Sequence, residues 1–499
     1  MRAHNERMAA PSWGAPSETL LILSDVHLGS DINDRAPPGA APRRSRRIDE
    51  DLIALFRHYA SAAPATERWR AVIAGDFIDF IGVAIAAEGA RARLDTVPDE
   101  EELAHGLGNA SDHAREKLRR VAERHTEVLS SLAEFVAAGH ALTMVHGNHD
   151  IEFHWDAVRA EFKAILARLA KSAHPDLDEA AFVARIEFNP WFFWADGVAY
   201  IEHGHQYDTM CATEYVMAPL SPLDPRRIAR GFTEVFLRYV VRPTRGMKEH
   251  GHESKGLFDY IAFAFGLGVK GLFGLAWRFA SAIIELLRLR RANFSAAARA
   301  LREEHEKRMA LLGEARRIGI DRLRALAALQ VPPVTRSIYG ILASVLLDKL
   351  ALALLTAMML VGVAIASWHH GHLWWAAGCV VVAWAFANRH LTKQRKLEPD
   401  ALLIDRAQHL AKLFPAAFVV MGHTHVPERV DVNDGSATYI NVGSWAEEEP
   451  DEQETHAYRA ARTHLVIRTG ETGPKAELLA WDSAAGPRAY VLPVRKNQG

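Results

Sequence analysis

The sequence predicts an α/β fold that is interrupted by a long helical insertion. From Thr19 onward, short apolar segments alternate with helical segments, which is the pattern of an α/β sheet. Five of the apolar segments run directly into clusters of Asp, Asn and His. Between the fourth and the fifth, residues 350–388 contain no Asp, Glu, Lys or Arg. A chain of 499 residues therefore holds two or three domains, or one domain with a large insertion.

The predicted elements follow from apolar periodicity and from Gly and Pro boundaries. The predicted strands are Leu20–Leu23, Ala71–Ala74, Ala141–Val145, Val198–Ile201 and Ala416–Val420. The predicted helices of the first half are Asp49–Tyr59 and Ala114–Ala138, and Asp31–Arg47 is a predicted loop rich in Pro, Gly and Arg.

Composition narrows the function classes. Lys and Arg number 59 against 61 Asp and Glu, so no global basic field exists to hold nucleic acid, and none is expected as a partner. Cys211 and Cys379 are the only cysteines, which excludes a disulfide framework and a thiolate zinc site. With 25 His, a metal site would use imidazole and carboxylate ligands, which suit Mn, Fe, Zn or Mg.

The insertion contains a predicted transmembrane hairpin. Leu350–Ser367 is long enough to cross a bilayer, especially if the helix starts near Ile341. Residues 368–372 form a break, and Leu373–Asn388 is a slightly short second span. The alternatives are a buried hairpin of a helical domain and a re-entrant segment.

Flanking charges predict the orientation of this hairpin. Basic residues follow the second span, and the connecting loop has no Lys or Arg, so the loop faces away from the cytoplasm. Met1–Ser17 lacks the apolar core of a signal peptide, and the chain is expected to start in the cytosol. We expect an inner or cytoplasmic membrane protein with a cytoplasmic catalytic domain. The predicted organisation is a tail (1–18), a first half-domain (19–215), an insertion (216–400, hairpin 341–388) and a second half-domain (401–490).

Each predicted strand ends in residues that bind metals. These residues are Asp25 and His27, then Asp76, then Asn148 and His149, then His203, and finally His423 and His425. Sites of open α/β sheets form at the carboxyl ends of strands, so these side chains are expected to share one cleft. A single D-x-H or H-x-H pair is usually a solvated turn, whereas five such clusters in order indicate one metal centre.

The ordered blocks D-x-H, G-D, G-N-H-D, H and G-H-x-H resemble those of the calcineurin-like metallophosphoesterases. The resemblance covers roughly residues 19–208 and 405–445 and leaves the insertion outside. It implies a four-layer αββα sandwich, in which two packed sheets and their flanking helices surround a dinuclear metal centre. The fold class expected is thus α/β, a metallophosphoesterase sandwich with a long helical insertion containing a transmembrane hairpin.

The resemblance also implies roles for individual residues. It assigns Asp25, His27 and His425 to one metal, and Asn148, His203 and His423 to the other. Asp76 would bridge the two ions, and His149 would be the catalytic residue that faces the phosphoryl group. The cofactors would be two divalent metal ions, with Mn favoured and Fe, Zn or Mg as alternatives. Metal-bound hydroxide would attack phosphorus in line, without a covalent enzyme intermediate.

Four further residues are assigned weaker roles beside the site. Asp79 either orients a ligand or is an exposed turn carboxylate. Asp150 either orients His149 or caps the helix that begins at Ile151, and capping is favoured. Arg43 and Arg44 could reach a substrate phosphate or lipid head groups, although a solvated charge run is the favoured alternative.

Two other groups lie beside these motifs. His146, His205 and Asp208 are assigned to packing or solvation. The segment 439–445 is expected to support the metal loop.

Motifs that differ between branches of the superfamily limit the expected substrate class. Asp79-Phe-Ile and Asp150 disfavour the phosphoprotein phosphatases, whereas G-H-T-H-V-P and N-V-G-S-W are similar to the UDP-2,3-diacylglucosamine pyrophosphatase branch. His149 departs from that branch, which has Arg there. The expected substrate is a phosphorylated small molecule or a lipid-linked one at the membrane, and residues 260–284 would line an acyl groove, lie in the membrane interface or pack on the hairpin. The other hypotheses are a membrane-anchored metal-binding scaffold or sensor, and a soluble nuclease.

Overall fold

The chain forms two compact units. The computed structural model describes residues 18–34, 46–61, 67–90, 94–244, 247, 262–263, 265–367, 373–395, 399–446 and 462–492. The first unit comprises Met1–Ala229, Ala298–Val331 and Leu403–Gly499, and the second comprises Arg230–Ala297 and Pro332–Leu402. Residues 298–331, which the sequence pattern assigned to the insertion, thus belong to the first unit.

Two mixed sheets form the framework of the first unit. In chain order the strands are β1 (Glu18–Leu23), β2 (Arg68–Ala74), β3 (Ala141–Val145), β4 (Ile186–Asn189), β5 (Phe192–Ala195), β6 (Gly197–Glu202), β7 (Ala416–Met421), β8 (Glu428–Val432), β9 (Ala437–Asn441), β10 (Thr463–Gly470), β11 (Gly473–Asp482) and β12 (Gly486–Ala489). The seven-stranded sheet has the order β12-β11-β10-β1-β2-β3-β4, and the five-stranded sheet has the order β5-β6-β7-β9-β8. All five predicted strands are present, and the α/β class is confirmed.

Helices surround these sheets and build the second unit. In chain order the described α-helices are Arg46–Ser61, Ala87–Ala90, Glu100–His105, Ser111–Arg124, Thr126–Ala137, Asp156–Ala173, Glu179–Ala184, Phe232–Phe236, Gly268–Ala292, Ala296–Arg316, Ile320–Leu329, Ile338–Ser344, Leu347–Ser367, Leu373–Arg395 and Pro399–Leu413. Single turns of 3₁₀ helix lie at Ile151–His154, His205–Tyr207 and Val334–Arg336, and a π turn lies at Leu237–Val241. The helix predicted over Ala114–Ala138 is two helices, since the first ends at Arg124 and the second begins at Thr126.

Because side chains alternate along a strand, the two faces of β1 contact two different apolar cores. Leu21 and Leu23 belong to an apolar core that contains the buried faces of the helices from Arg46 to Ala173. Leu20 and Ile22 point to the opposite face, where they pack with Ile201, Val420 and other residues of the five-stranded sheet. The two sheets therefore pack on one another through a shared apolar layer.

Parallel pairing brings the loops after several strands to one edge. β1, β2 and β3 are parallel neighbours, as are β6, β7 and β9. The Asp76 carbonyl accepts hydrogen bonds from the backbone N–H of Val26 and of His27, both at 2.9 Å. The Trp445 N–H donates to the Asp25 carbonyl at 3.0 Å. Loops that lie far apart in sequence are thus joined backbone to backbone.

In the second unit, the helices Leu347–Ser367 and Leu373–Arg395 pack against each other. Of the described helices, one contains a segment long and apolar enough to cross a membrane, Leu347–Ala366, and none of its most apolar window is buried. The predicted second span forms a helix but does not meet the same criterion, because its apolar part ends at Asn388, after roughly 24 Å of helix. The membrane hairpin stays a prediction.

Candidate metal centre

Strained backbone is concentrated in the loops that end the parallel strands. Asp25, His27, Asp76, His423 and His425 all have φ between 51° and 70°. Non-glycine residues rarely adopt this left-handed conformation, and each such residue costs about 1–3 kcal/mol. Strain of this kind clusters at functional sites, and here it lies at side chains that could hold a metal ion.

The first cluster contains Asp25, His27 and His425, whose ligand atoms lie within 4.8 Å of one another. His425 Nε2 is 3.1 Å from Asp25 Oδ1, and His27 Nε2 is 3.8 Å from the same oxygen. Asp25 and His27 are buried, whereas the His425 side chain is 16% exposed. These are the three residues that the family resemblance assigns to one metal.

The second cluster contains Asp25, Asp76 and His203. His203 Nε2 lies 3.2 Å from Asp76 Oδ2 and 3.1 Å from Asn148 Oδ1. Asp76 Oδ2 also lies 3.6 Å from His27 Nε2 in the first cluster. Asp76 therefore stands between the two clusters, at the position expected of a bridging carboxylate.

A backbone carbonyl on the side away from Asp76 fixes the orientation of the His203 ring. Its Nδ1 donates to the Ala74 carbonyl at 2.8 Å, which directs Nε2 toward Asp76. Burial lowers the pKa of His203, but the charges of Asp76 and Asp25 raise it more, to about 9. A backbone acceptor behind one ring nitrogen is the usual way a protein orients a metal-binding histidine.

The donor set fits divalent cations. Among the described residues, Asp25 Oδ1 and His27 Nε2 are buried without a hydrogen-bond partner. Burial alone would raise the pKa of Asp25, but His425 and His203 hold it well below its usual value. Buried carboxylates and imidazoles that converge without satisfying each other are the ligands that Mn, Fe, Zn or Mg accept.

Two glycines make the close approach of these loops possible. A Cβ at Gly147 would lie 2.0 Å from Asp76 Oδ1. A Cβ at Gly422 would lie 2.4 Å from Asp25 Oδ2 and 1.9 Å from Ser24 Oγ. A side chain at Gly147 would displace Asp76, and one at Gly422 would displace Asp25.

His149 lies at the mouth of the site and is held by Asp79. His149 Nδ1 is 2.7 Å from Asp79 Oδ1, and the His149 backbone N–H donates to Asp76 Oδ1 at 2.8 Å. Burial would raise the pKa of Asp79, but the charge and hydrogen bond of His149 hold it well below its usual value. Asp79 is 5% exposed, so it is not the exposed turn carboxylate of the alternative interpretation.

Asp150 does not cap the helix that follows it, so the favoured sequence interpretation is wrong. Its carboxylate turns back and accepts from the N–H groups of Gly147 at 2.7 Å and Phe77 at 2.8 Å. The chain continues as the 3₁₀ turn Ile151–His154, with no side-chain cap from Asp150. Burial, and then the charge of Asp76, raise the pKa of Asp150 to about 7. Asp150 thus ties the third loop to the second.

His423 is placed beside the second cluster but is bound elsewhere. Its ring centroid lies 5.3 Å from that of His203, while its Nε2 is 3.1 Å from Asp208 Oδ2. The cluster of close ligand atoms that includes His423 consists of Asp208, Cys211 and His423. Sequence reasoning assigned Asp208 to packing or solvation. The signal that could have identified it is its position in H-G-H-x-x-D, in the same loop as His203.

The remaining predicted residues are placed as follows. Asn441 Nδ2 donates to the Gly422 carbonyl at 2.7 Å, and Ser444 Oγ donates to the Asp25 carbonyl at 3.1 Å, so the segment 439–445 supports the loops that carry Asp25 and His423. Arg43 and Arg44 lie outside the described residues. His146 and His205 are buried beside the clusters, and burial keeps the pKa of each well below its usual value.

No family model and no curated protein matches this chain significantly. Its function must therefore be inferred from the site itself. The floor of the site is buried, and three histidines at its mouth, His149, His423 and His425, are partly exposed. A ligand entering from solvent would meet these histidines before the carboxylates.

Proposed function

We propose that the chain is a metal-dependent phosphoesterase of the calcineurin-like metallophosphoesterase superfamily, which hydrolyses a phosphate ester or pyrophosphate bond. One observation carries the proposal: two ligand clusters share Asp25 and meet at Asp76, and at their open side stands His149, which Asp79 holds and whose ring also lies within 4.8 Å of ligand atoms of His27 and Asp76. We assign His149 to the substrate and not to a metal. A structural metal site needs the ligands but does not need that histidine.

The residues that would hold the metals follow from the clusters. Asp25, His27 and His425 would bind one ion, and Asp76, Asn148 and His203 would bind the second, with Asp76 shared. The family resemblance adds His423 to the second ion, and its ring lies 5.3 Å from that of His203. When bound, two divalent cations, Mn in the first instance, would polarise a phosphoryl oxygen and activate a water molecule.

The chain's own residues would position the substrate and move the proton. The Asp79 carboxylate keeps a proton on His149 Nδ1, which leaves Nε2 for contact with a phosphoryl or leaving oxygen. A protonated His149 would stabilise negative charge that develops on the phosphoryl group, or donate a proton to the leaving oxygen. The buried floor excludes bulk water, which strengthens these interactions.

We also propose that the fold is the four-layer αββα sandwich of this superfamily. Support comes from the helices packed on the Leu21 and Leu23 face of β1, and from the apolar layer between the sheets. On the other face of the second sheet, Phe414, which follows the helix Pro399–Leu413, packs on Tyr200 with ring centroids 4.9 Å apart.

We further propose that the hairpin 341–388 anchors the protein in the cytoplasmic membrane, with the catalytic domain on the cytoplasmic side and a lipid-linked or small phosphorylated substrate. The apolar, unburied segment Leu347–Ala366 supports this placement. Sodium carbonate extraction of membranes is the test. Retention in the pellet is expected, and release into the soluble fraction would refute the anchor.

The catalytic proposal is tested on full-length protein in detergent with Mn and aryl phosphate monoesters and diesters. Wild type is expected to hydrolyse at least one of them, and Asp76→Asn is expected to be inactive while keeping its circular dichroism spectrum. Asp196→Asn, an exposed carboxylate on a turn, is the matched control and should retain activity. Equal rates for wild type and Asp76→Asn with every divalent metal would refute catalysis at this site.

The same preparation separates an enzyme from a metal-binding scaffold or sensor. Both predict tight metal binding that is lost in Asp76→Asn. Only the enzyme predicts that His149→Asn abolishes turnover while the bound metal content stays close to that of wild type. Metal content measured by elemental analysis, beside activity, distinguishes the two.

A further inference from the structure

The helix Gly268–Ala292 of the second unit has two faces of different character. One face is buried within the unit and includes Leu275, Ala282, Glu285, Leu286 and Leu289. The described residues leave the opposite face of this helix largely exposed to solvent. That face carries large apolar side chains, which are unfavourable in water and suggest a binding partner.

Large apolar side chains form a continuous stripe on the uncovered face. Val269, Phe273, Trp277 and Ile284 are 73%, 71%, 72% and 64% exposed. Their spacings of four, four and seven residues place them on one side of an α-helix. We call these four residues the exposed stripe. Phe265, which is 70% exposed, lies four residues before Val269, ahead of the start of the helix at Gly268. Contiguous exposed apolar surface of this kind marks an interaction site.

The charges of this helix are strongly biased. It carries five basic residues, Lys270, Arg278, Arg288, Arg290 and Arg291, and a single acidic one, Glu285, which is buried on the inner face. Lys270 and Arg288 are exposed and lie at the same edge of the exposed stripe, five helical turns apart. An apolar stripe with a basic border complements an anionic lipid surface.

The same unit contains the segment that is long and apolar enough to cross a membrane. No residue of the most apolar window of Leu347–Ala366 is buried, and Trp374 and Trp375 at the start of the next helix are 83% and 82% exposed. Tryptophans of this kind favour the headgroup level of a bilayer. The unit therefore presents two kinds of lipid-compatible surface, one spanning and one amphipathic.

We propose that the exposed stripe lies in the headgroup region of an anionic lipid bilayer, parallel to its plane. The apolar side chains enter below the headgroups, and the basic edge contacts lipid phosphates. The inference rests on the proposed membrane anchorage and adds to it a second contact with the membrane, made by a helix that does not span it.

Site-directed spin labelling of the full chain tests this contact. Cys211→Ser and Cys379→Ser give a background without native thiols. Single cysteines are introduced at the exposed stripe (Phe273→Cys, Trp277→Cys), in the candidate span (Met358→Cys) and at the exposed Glu303 of the helix Ala296–Arg316 (Glu303→Cys). The labelled proteins are reconstituted into vesicles of phosphatidylcholine and phosphatidylglycerol, and collision rates with a water-soluble nickel complex and with oxygen are measured.

The stripe labels are expected to collide with nickel severalfold less often than the Glu303 label, and with oxygen severalfold more often. Lys270→Gln combined with Arg288→Gln should reduce this difference. Shielding that is equal in vesicles without phosphatidylglycerol would overturn the anionic preference. Spin–spin broadening that accompanies the shielding would overturn the lipid contact in favour of a second copy of the chain.

The proposal and the anchorage on which it rests can fail separately. If the stripe labels behave like the Glu303 label while the Met358 label is shielded, the anchorage stands and the interfacial helix is refuted. If the Met358 label is open to nickel while the stripe labels are shielded, the span is refuted and the surface contact stands. If all labels are open, both are refuted. Val269→Cys provides a third stripe position if one variant fails to fold.

Discussion

Asp79 Oδ1 lies 2.7 Å from His149 Nδ1, although the two residues come from different loops and are 70 positions apart. Asp79 follows β2, and His149 follows β3. The contact fixes the ring of the only histidine at the mouth of the site to which the proposed mechanism gives no metal. A buried carboxylate behind an imidazole sets both its tautomer and its direction.

Replacing Asp79 by Asn should impair turnover without abolishing the fold. The amide keeps the size of the side chain but loses the charge that holds the proton on His149 Nδ1. We expect kcat/KM to fall about 10- to 100-fold, the range for loss of such a supporting partner. Metal content should change little, because Asp79 is not in either ligand cluster.

The control for this variant is Asp431→Asn, which alters an exposed carboxylate on β8. The pH dependence provides a second readout. The pKa of Asp79 is held well below its usual value, so wild type should show no titration of this group in its working range. An unchanged kcat/KM in Asp79→Asn would contradict the positioning role.

Adding one methyl group at Gly147 should destroy the centre. In Gly147→Ala the new Cβ would lie 2.0 Å from Asp76 Oδ1, so the shared carboxylate or the whole loop must move. We expect loss of bound metal in dialysed protein and a lower Tm. Gly89→Ala is the matched control, since Gly89 lies in a short helix with nothing within 4 Å of the added Cβ. That variant should be neutral or stabilised by about 0.5–1 kcal/mol. Equal metal content in the two variants would contradict the packing argument.

The Asp208–His423 contact predicts a supporting role for a residue outside both ligand sets. Burial raises the pKa of Asp208, but the hydrogen bond and charge of His423, together with hydrogen bonds from Met210 and Cys211, lower it below its usual value, so it is an anion that orients the imidazole. Asp208→Asn should weaken binding of one of two metal ions about 10- to 100-fold. Isothermal titration with Mn should then show one site weakened and one unchanged. Loss of both sites, or of neither, would argue against this assignment.

The sequence predicted well what depends on local pattern. β3 has the predicted bounds, and the D-x-H and G-H-x-H blocks lie in the predicted loops, because strand periodicity and the glycines beside the ligands are local features. Contacts between distant loops could not be read from the pattern. Asp208 and His423 are 215 residues apart, and Asp150 bonds backwards to Phe77 although its position suggested a cap.

The sequence also could not predict to which of the two units each helix of the insertion belongs. The sequence of Ala298–Val331 predicts helix. An amphipathic pattern shows that one face of a helix is apolar, but it does not show which hydrophobic core that face packs against. His305 and Arg308 of this segment contact the backbone of Met217, which places it in the first unit. Composition identified the insertion as helical but could not show that residues 298–331 within it belong to the first unit.

A buried histidine of the first unit should make the protein sensitive to acid. His464 on β10 lies with its Nε2 2.8 Å from the Tyr59 hydroxyl. Burial, and then the charge of His58, lower its pKa from 6.5 to about 3. The folded state therefore keeps His464 neutral, whereas the unfolded state binds a proton as soon as the pH falls below about 6.5. Stability is complete above that pH and is lost as the pH falls toward 3, at up to about 1.4 kcal/mol per pH unit.

His464→Gln removes this titration while the amide can still bond the Tyr59 hydroxyl. The variant should be less stable than wild type near neutral pH, because the packing of the buried imidazole ring is lost. Its Tm should, however, fall less than that of wild type between about pH 6.5 and about pH 5. Tm is followed by tryptophan fluorescence at each pH, with the exposed His174→Gln as the control. Curves for wild type and His464→Gln that run parallel over this range would show that another group carries the acid sensitivity. Convergence of the two curves toward pH 5 is the expected result, because only wild type loses the contribution of a histidine held neutral by burial.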